Sequence, residues 1–353
     1  MIETLNQSTE GVWENYVLRH PHSTPYHRLY WKELFQTIFG YEACHLFARS
    51  GTEVLGCLPL FTAQSLRGPF LVSIPFRDRA DPLFHNLQTL GALIEQAKVL
   101  MHEKKCRCVL IKSVTALPAE IMRELGLTSH PNWVRSYLPL TGFDAAALWN
   151  TINDKTRNMI RQGERAGLEF FSQCTDDQDH DSAIDVLHDT QHRLGIPPFP
   201  RAFYAQLLHS LRHQHAGQLC VVKHRGAIVA AAILLQHHTT MIYAYAGSRQ
   251  SAWPYRVNDF MIWNCLTMAL SQGMTSFDFG ADSQHQSHVL FFKKKWRASQ
   301  TPVYSYYAAR HAHDAPTEWR DSSQGAYPFL RGMVRRLPDP LYNLIGYFTR
   351  YFG

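Results

Sequence analysis

No uncharged apolar stretch of this chain reaches the roughly 20 residues that span a bilayer, which excludes a membrane-spanning helix. The N-terminal Met1-Ile-Glu-Thr-Leu-Asn-Gln also lacks the basic region and apolar run of a secretory leader. The expectation is a protein made in, and staying in, the cytoplasm, with peripheral contact at the inner membrane left open. Cysteines are few and scattered, at Cys44, Cys57, Cys106, Cys108, Cys174, Cys220 and Cys265. Their odd number and the want of a paired CxxC spacing exclude a disulfide framework or a zinc ribbon, so reduced, mostly buried thiols are expected. The loop Gly247-Ser-Arg-Gln-Ser-Ala-Trp-Pro254 has neither P-loop nor dinucleotide spacing, which removes the usual support for nucleotide hydrolysis and hydride transfer. Histidine is the exception to this sparseness, with 20 copies. His188/His192 and His209/His213 have i,i+4 spacing, but neither pair carries the metalloprotease Glu or an evident third ligand, so no metal site is assigned.

What is present is core-forming material. At 353 residues with 45% hydrophobic and 12% aromatic content, the chain suits two domains and excludes global disorder. The formal charge of +6 favours an anionic ligand or membrane surface without demanding nucleic acid.

The pattern along the chain repeats. After an aromatic helical segment over residues 1–40, two apolar runs flank a turn at Gly51, which reads as a β-hairpin. A strand over residues 70–74, a charged loop (75–82), a helix (87–104), a strand (109–112), a short helix ending at Gly126 and a closing strand (134–140) follow. The second half runs the same course: a hairpin about Gly226, a strand (241–246), a helix (255–272), a strand (276–279), a helix (287–296) and a closing strand (303–308). Matching Gly51 to Gly226 aligns the two series, so duplication of one mixed unit is the simplest reading. The fold class is α/β (α+β). Expected domains are residues 1–143, residues 144–310 and a 311–353 linker and tail.

Three stretches carry candidate chemistry. The first runs from Asp144 as N-cap to Gly167 as stop and reads as one basic helix, with Arg157 and Arg161 on one side and Lys155 and Arg165 near them. It is either a solvated face or an anion site. The helix start near Tyr255 would offer unbonded amides and its dipole to an anion, aided by Arg256 and Asn258. In Ser276-Phe-Asp-Phe-Gly280, alternation turns Phe277 and Phe279 one way and Asp278 the other, and Gly280 opens a polar loop carrying Asp282 and His285. Asp278 or Asp282 could equally end a strand or cap a helix. The tail, with Arg331, Arg335, Arg336 and Arg350 against Asp339, suits either an anionic membrane surface or docking of its aromatics on the folded body.

Residues 148–167, His192-Arg-Leu-Gly-Ile-Pro197, Ser276-Phe-Asp-Phe-Gly280, Phe292-Lys-Lys-Lys-Trp296 and Tyr304-Ser-Tyr306 together resemble the FemAB family. More narrowly they are similar to FemAB-like proteins of exopolysaccharide and PEP-CTERM/exosortase gene clusters. Gly280-Ala281-Asp282 stands where the family usually has Gly-Arg-Ser, and Arg297 where it has Gly. The resemblance implies tandem GNAT (N-acetyltransferase) domains and acyl transfer to an amine, with acyl-CoA or aminoacyl-tRNA as co-substrate and no resident cofactor. The acceptor would be a small-molecule or lipid-linked saccharide or peptide of the cell envelope or an exopolysaccharide.

On that implication Gly247, Arg256 and Asn258 would hold the donor. Asp278, Asp282 and His285 would steer or deprotonate the amine, a reaction that needs aim and oxyanion stabilisation more than a strong catalytic group. Lys155, Arg157, Arg161, Arg193, Lys293, Lys294, Lys295 and Trp296 would grip an anionic acceptor or a tRNA backbone. The alternative is a catalytically silent binding or scaffold protein beside a membrane assembly.

Overall fold

The computed structural model describes residues 1–65, 67–174, 177–311, 314 and 326–346. The chain starts with β1 (Ile2–Thr4), α1 (Glu10–Arg19), α2 (Leu29–Phe39), β2 (Glu42–Ala43), β3 (Leu46–Ser50), β4 (Glu53–Leu58), β5 (Phe61–Ser65) and β6 (Gly68–Val72). Next come β7 (Leu83–Phe84), α3 (Leu87–Glu103), β8 (Cys108–Ser113), α4 (Ala119–Glu124), β9 (Thr128–Pro139), α5 (Ala145–Thr151), α6 (Asp154–Arg165) and β10 (Leu168–Phe171). The rest is α7 (Asp177–Leu194), α8 (Arg201–His213), β11 (Gly217–His224), β12 (Ala227–His237), β13 (Thr240–Ser248), α9 (Val257–Ser271), β14 (Ser276–Ser283), α10 (Ser287–Lys294), β15 (Ser299–Ala309), α11 (Ala326–Arg335) and α12 (Asp339–Ile345). Most of the linker expected from residue 311, and residues 347–353 of the tail, lie outside the described residues.

Two compact units form. One gathers Met1–Val134 with the β15 residues from Thr301 onward; the other gathers Arg135–Gln300 with α11 and α12. The cut therefore falls inside β9 and again inside β15, not at residues 143/144. Long strands are paired along their length, so membership follows hydrogen-bonded neighbours and not position in the chain.

In the first unit, β1-β3-β4-β7 form an antiparallel sheet, and β15-β8-β6-β5-β2 lie in that order with only β6 and β8 parallel. Leu90, Leu93, Ile94 and Ala97 of α3 recur at helical spacing and bury against Leu46, Leu58, Val109 and Ile111. A second cluster joins Trp13 and Val17 of α1 to Phe47 and Cys57.

In the second unit the order is β10-β11-β12-β13-β14-β9, antiparallel from β10 to β13 and parallel between β13 and β14. Ala230, Ala232 and Leu234 of β12 face α9 in one core with Phe260, Met261 and Cys265. The opposite face is covered by α7: a Cβ on Gly247 would lie 2.6 Å from Thr190 Oγ1 and 2.8 Å from the Val186 carbonyl. Only glycine admits that approach.

Three local readings are revised. The helix expected over residues 144–167 is two helices. Asp144 caps α5 and Gly167 ends the segment as read, but Asn153 accepts from the Thr156 amide at 2.9 Å and starts α6 anew. The strand expected to stop at Phe279 continues to Ser283, because Gly280 (φ 74°) bends the chain without breaking the strand. Residues 168–213, to which the pattern assigns no element, form β10, α7 and α8. All seven cysteines are free thiols, and only Cys174 is not buried. No described helix is long and apolar enough to cross a membrane.

Candidate active site

Strand β13 is interrupted where it matters. Ile233 pairs with Tyr245 and Leu234 with Tyr243, so Ala244 is an extra residue, a bulge that reverses which way later side chains point. Before it, Met241 and Tyr243 face the α9 core; beyond it, Tyr245 packs on Phe199, Phe203 and Tyr204. The parallel ladder to β14 covers Thr240↔Ser276, Met241↔Phe277 and Ile242↔Asp278 and ends there, although both strands run on. Two parallel strands that stop pairing open the sheet at their carboxyl ends, where open α/β sheets bind ligands.

The helix after β13 has a bare start. Arg256 sits in the left-handed region (φ 60°) at its N-cap position and makes no capping bond. The amides of Val257, Asn258 and Asp259 have no acceptor among the described residues. By contrast α3, α5 and α6 each start on an Asn or Asp whose side chain accepts from the helix. Unbonded first-turn amides together with the helix dipole favour an anion.

Around this start the charge is mostly positive. Gly163 lets α6 lie against α9, since a Cβ there would be 3.0 Å from that of Phe260. This brings the basic face of α6 beside Arg256. A cavity of about 920 Å³ is lined by Lys155, Asn158, Met159, Gln162, Arg165 and Arg256, with no carboxylate among them. Gln162 Oε1 accepts from Arg256 Nε at 3.1 Å and orients the guanidinium. A second cavity, of about 470 Å³, is lined in part by Asp154, Arg157, Lys294, Lys295 and Arg297. Lys295 pairs with Asp259 in the first turn of α9. Burial lowers its pKa; Asp259 opposes that shift, and Arg256 and Lys155 add to it by crowding positive charge.

The residues singled out from sequence separate into two groups. Arg256 and Lys155 line one cavity at the bare helix start, Asn258 belongs to that helix's first turn, and Arg157 and Lys294 line the second cavity. Arg161 stacks over Trp149 at 5.3 Å and Arg193 over Trp253 at 4.7 Å. Gly247 packs against α7. Asp278, 0% exposed, is held by Arg135 Nε at 2.7 Å and accepts from the Gly280 amide at 2.8 Å. Asp282 pairs with Lys293, which also donates to the Phe279 carbonyl at 2.6 Å and so braces α10 against the end of β14. Trp296 lies in the α9 core, and His285 sits beside Gln284 on the turn before α10. Asp278, Asp282 and Lys293 are therefore joined to other parts of the protein rather than displayed in a cavity. Arg135, Gln162 and Asp259 are the residues that sequence reasoning missed. No spacing signals a pair such as Arg135 and Asp278, 143 residues apart. An acid in the first turn of α9 was visible, but its partner was not.

Residues 153–293 match the family model described as an acetyltransferase (GNAT) domain. No curated protein sequence matches the chain. Among solved structures, the crystal structure of FemX aligns with a TM-score of 0.69 at 14% identity, over 86% of this chain and 96% of that one. The C-terminal domain of a putative lysylphosphatidylglycerol synthetase from Agrobacterium fabrum aligns at 0.57 and 14% identity, over 90% and 96%. A tandem GNAT protein from the clavulanic acid biosynthesis pathway aligns at 0.56 and 13%, over 90% and 99%. The match falls within the second unit, and the chain has the tandem GNAT fold.

Proposed function

We propose that the second unit transfers an acyl or aminoacyl group from an activated donor to an amine of a cell-envelope or exopolysaccharide precursor. The observation that carries this reading is the uncapped start of α9, beside a cavity lined by Lys155, Arg165 and Arg256, with the first-turn acid Asp259 taken up by Lys295. The donor's phosphate would sit on the amides of 257–259 with Arg256 and Asn258, and its thioester or ester carbonyl would lie at the separated ends of β13 and β14. There a backbone N–H takes up oxyanion charge while the amine nitrogen bonds to the carbonyl carbon, the C–S or C–O bond breaks, and the amine proton leaves. Asp278 and Asp282 serve this geometry as braces, so the proton departs to water or to the leaving group. The acceptor class rests on the resemblance to FemAB proteins and on the lysylphosphatidylglycerol synthetase likeness.

The absence of a carboxylate from the cavity lining also fits a silent binding protein, the second reading. Both readings meet one experiment on the intact chain. Thermal stabilisation by coenzyme A without salt-sensitive tRNA binding assigns acyl-CoA as donor, and the reverse assigns aminoacyl-tRNA. Arg256→Ala should weaken whichever binds by about tenfold, the scale of one charge-assisted contact. Binding without product in cells carrying the gene supports the silent protein; binding of neither donor sinks the transferase.

A further inference from the structure

The C-terminal helices α11 and α12 are clasped on one side and, at Met333, Leu341 and Leu344, exposed on the other. Arg331 donates to the Leu194 carbonyl from Nε (3.0 Å) and a terminal nitrogen (2.7 Å), and Arg335 adds a contact at 3.4 Å. These guanidinium groups cap the carboxyl end of α7, where the dipole favours a cation. Tyr342 stacks on His192 at 4.0 Å and donates to the Ile196 carbonyl at 2.9 Å, and Asp339 meets His192 Nδ1 at 3.3 Å. Gly195 is part of the same fit: a Cβ there would lie 2.4 Å from the Arg331 carbonyl. One of the two expectations for this tail, docking an aromatic on the body, therefore holds for Tyr342.

The outward side has the opposite character. At about 100° per residue, Met333 lies ~200° round α11 from Arg331, and Arg336 shares its side at i,i+3. On α12, Leu341 and Leu344 share a side that turns away from buried Tyr342. Met333, Leu341 and Leu344 are 51%, 51% and 53% exposed, and Arg335 and Arg336 are exposed beside them. Leu194, at the clasp itself, is another exposed apolar side chain. The following sequence adds Arg350 among Tyr347, Phe348, Tyr351 and Phe352.

We infer that this outer face of α11 and α12 docks on an anionic lipid surface. Apolar side chains with flanking arginines on helices clasped to the body suit the headgroup boundary, where the leucines enter the acyl region and the guanidinium groups meet phosphates. Charge decides between occupants: Arg336 on the outer side, the exposed Arg335 at the clasp and Arg350 in the following sequence, against Asp339 alone, favour an acidic lipid over a neutral one. The inference stands apart from the acyl-transfer reading.

The test is co-sedimentation of the full chain with vesicles of equal parts phosphatidylglycerol and phosphatidylcholine, against phosphatidylcholine alone. Binding is expected only to the acidic vesicles and should weaken with salt. Leu341→Ser with Leu344→Ser should lower partitioning by about tenfold or more, and Arg336→Glu by less. Val99→Ser, at an exposed apolar position of α3, should leave it unchanged. Because both leucines are half exposed, the melting temperature should hold; if it falls, Arg336→Glu alone carries the test. The inference is overturned if the wild-type protein stays in the supernatant, if the tail variants bind as wild type, or if Lys155→Glu with Arg256→Glu abolishes binding while the tail variants do not. Self-association that the leucine variants abolish would assign the face to a second copy and overturn it too.

Discussion

The two units repeat one arrangement, a parallel strand pair joined through a helix, and treat its open end in opposite ways. In the first unit, β6 and β8 pair at Leu71↔Val109 and Val72↔Leu110, and the chain beyond stays attached. Ser73 N donates to the Leu110 carbonyl, Lys112 N to Ser73 Oγ, and Ala80 N to the Lys112 carbonyl. Lys112 Nζ donates to the Ile74 and Arg77 carbonyls, and Asp81 accepts from Ser113 Oγ and the Val114 amide. Asn86 caps α3. In the second unit the corresponding helix has no cap, and cations line a cavity at its start. A duplicated unit has thus one copy whose strand ends are tied together by its own side chains and one copy with a cation-lined cavity at its helix start.

Three measurements can break or sharpen that contrast. The largest effect is expected at Arg135→Ala, which takes the guanidinium away from the buried Asp278 carboxylate and should cost about 3–5 kcal/mol in urea unfolding. Wild-type stability in that variant would return Asp278 to the list of groups available for chemistry. Next comes acid sensitivity of the closed unit. Burial pushes the His45 pKa from 6.5 down to about 3, and burial lowers that of His27 as well. The unfolded chain takes up a proton on His45 as pH falls through 6.5 while the folded chain does not until about 3, so stability is lost over that window as pH falls. Trp13, stacked on His45 at 5.2 Å, reports the transition by fluorescence, and His45→Gln should flatten the pH dependence. An unchanged slope would assign the acid response elsewhere. The smallest effect is Asn86→Ala: about 1 kcal/mol of stability, with ligand-induced stabilisation intact. If that variant instead loses donor binding, the first unit is not closed.

Local requirements were legible. Gly51 and Gly226 turn their hairpins at φ 61° and 79°, as the flanking apolar runs imply, and Asp144 and Gly167 bound the basic segment as read. The break at Asn153 was not, because an Asn within a polar helical run looks the same whether it caps or merely faces solvent. The placement of Arg256 was visible in part: an arginine near a helix start can be read from the sequence, but that no side chain caps that start is seen only in three dimensions. Asp278 and Lys293 illustrate the reverse. Each is a charged residue in a functional-looking motif, and each is fully occupied by a partner, Arg135 for one and Asp282 with the Phe279 carbonyl for the other.

Order along the chain sets the duplicated series of strands and helices, because hairpin turns, helix periodicity and caps act over a few residues and can be read where they stand. Which copy keeps an open end, which acids become braces, and which cations meet at the start of α9 depend on contacts between residues far apart in the chain. Such contacts leave no periodic trace, and so only the folded protein decides them.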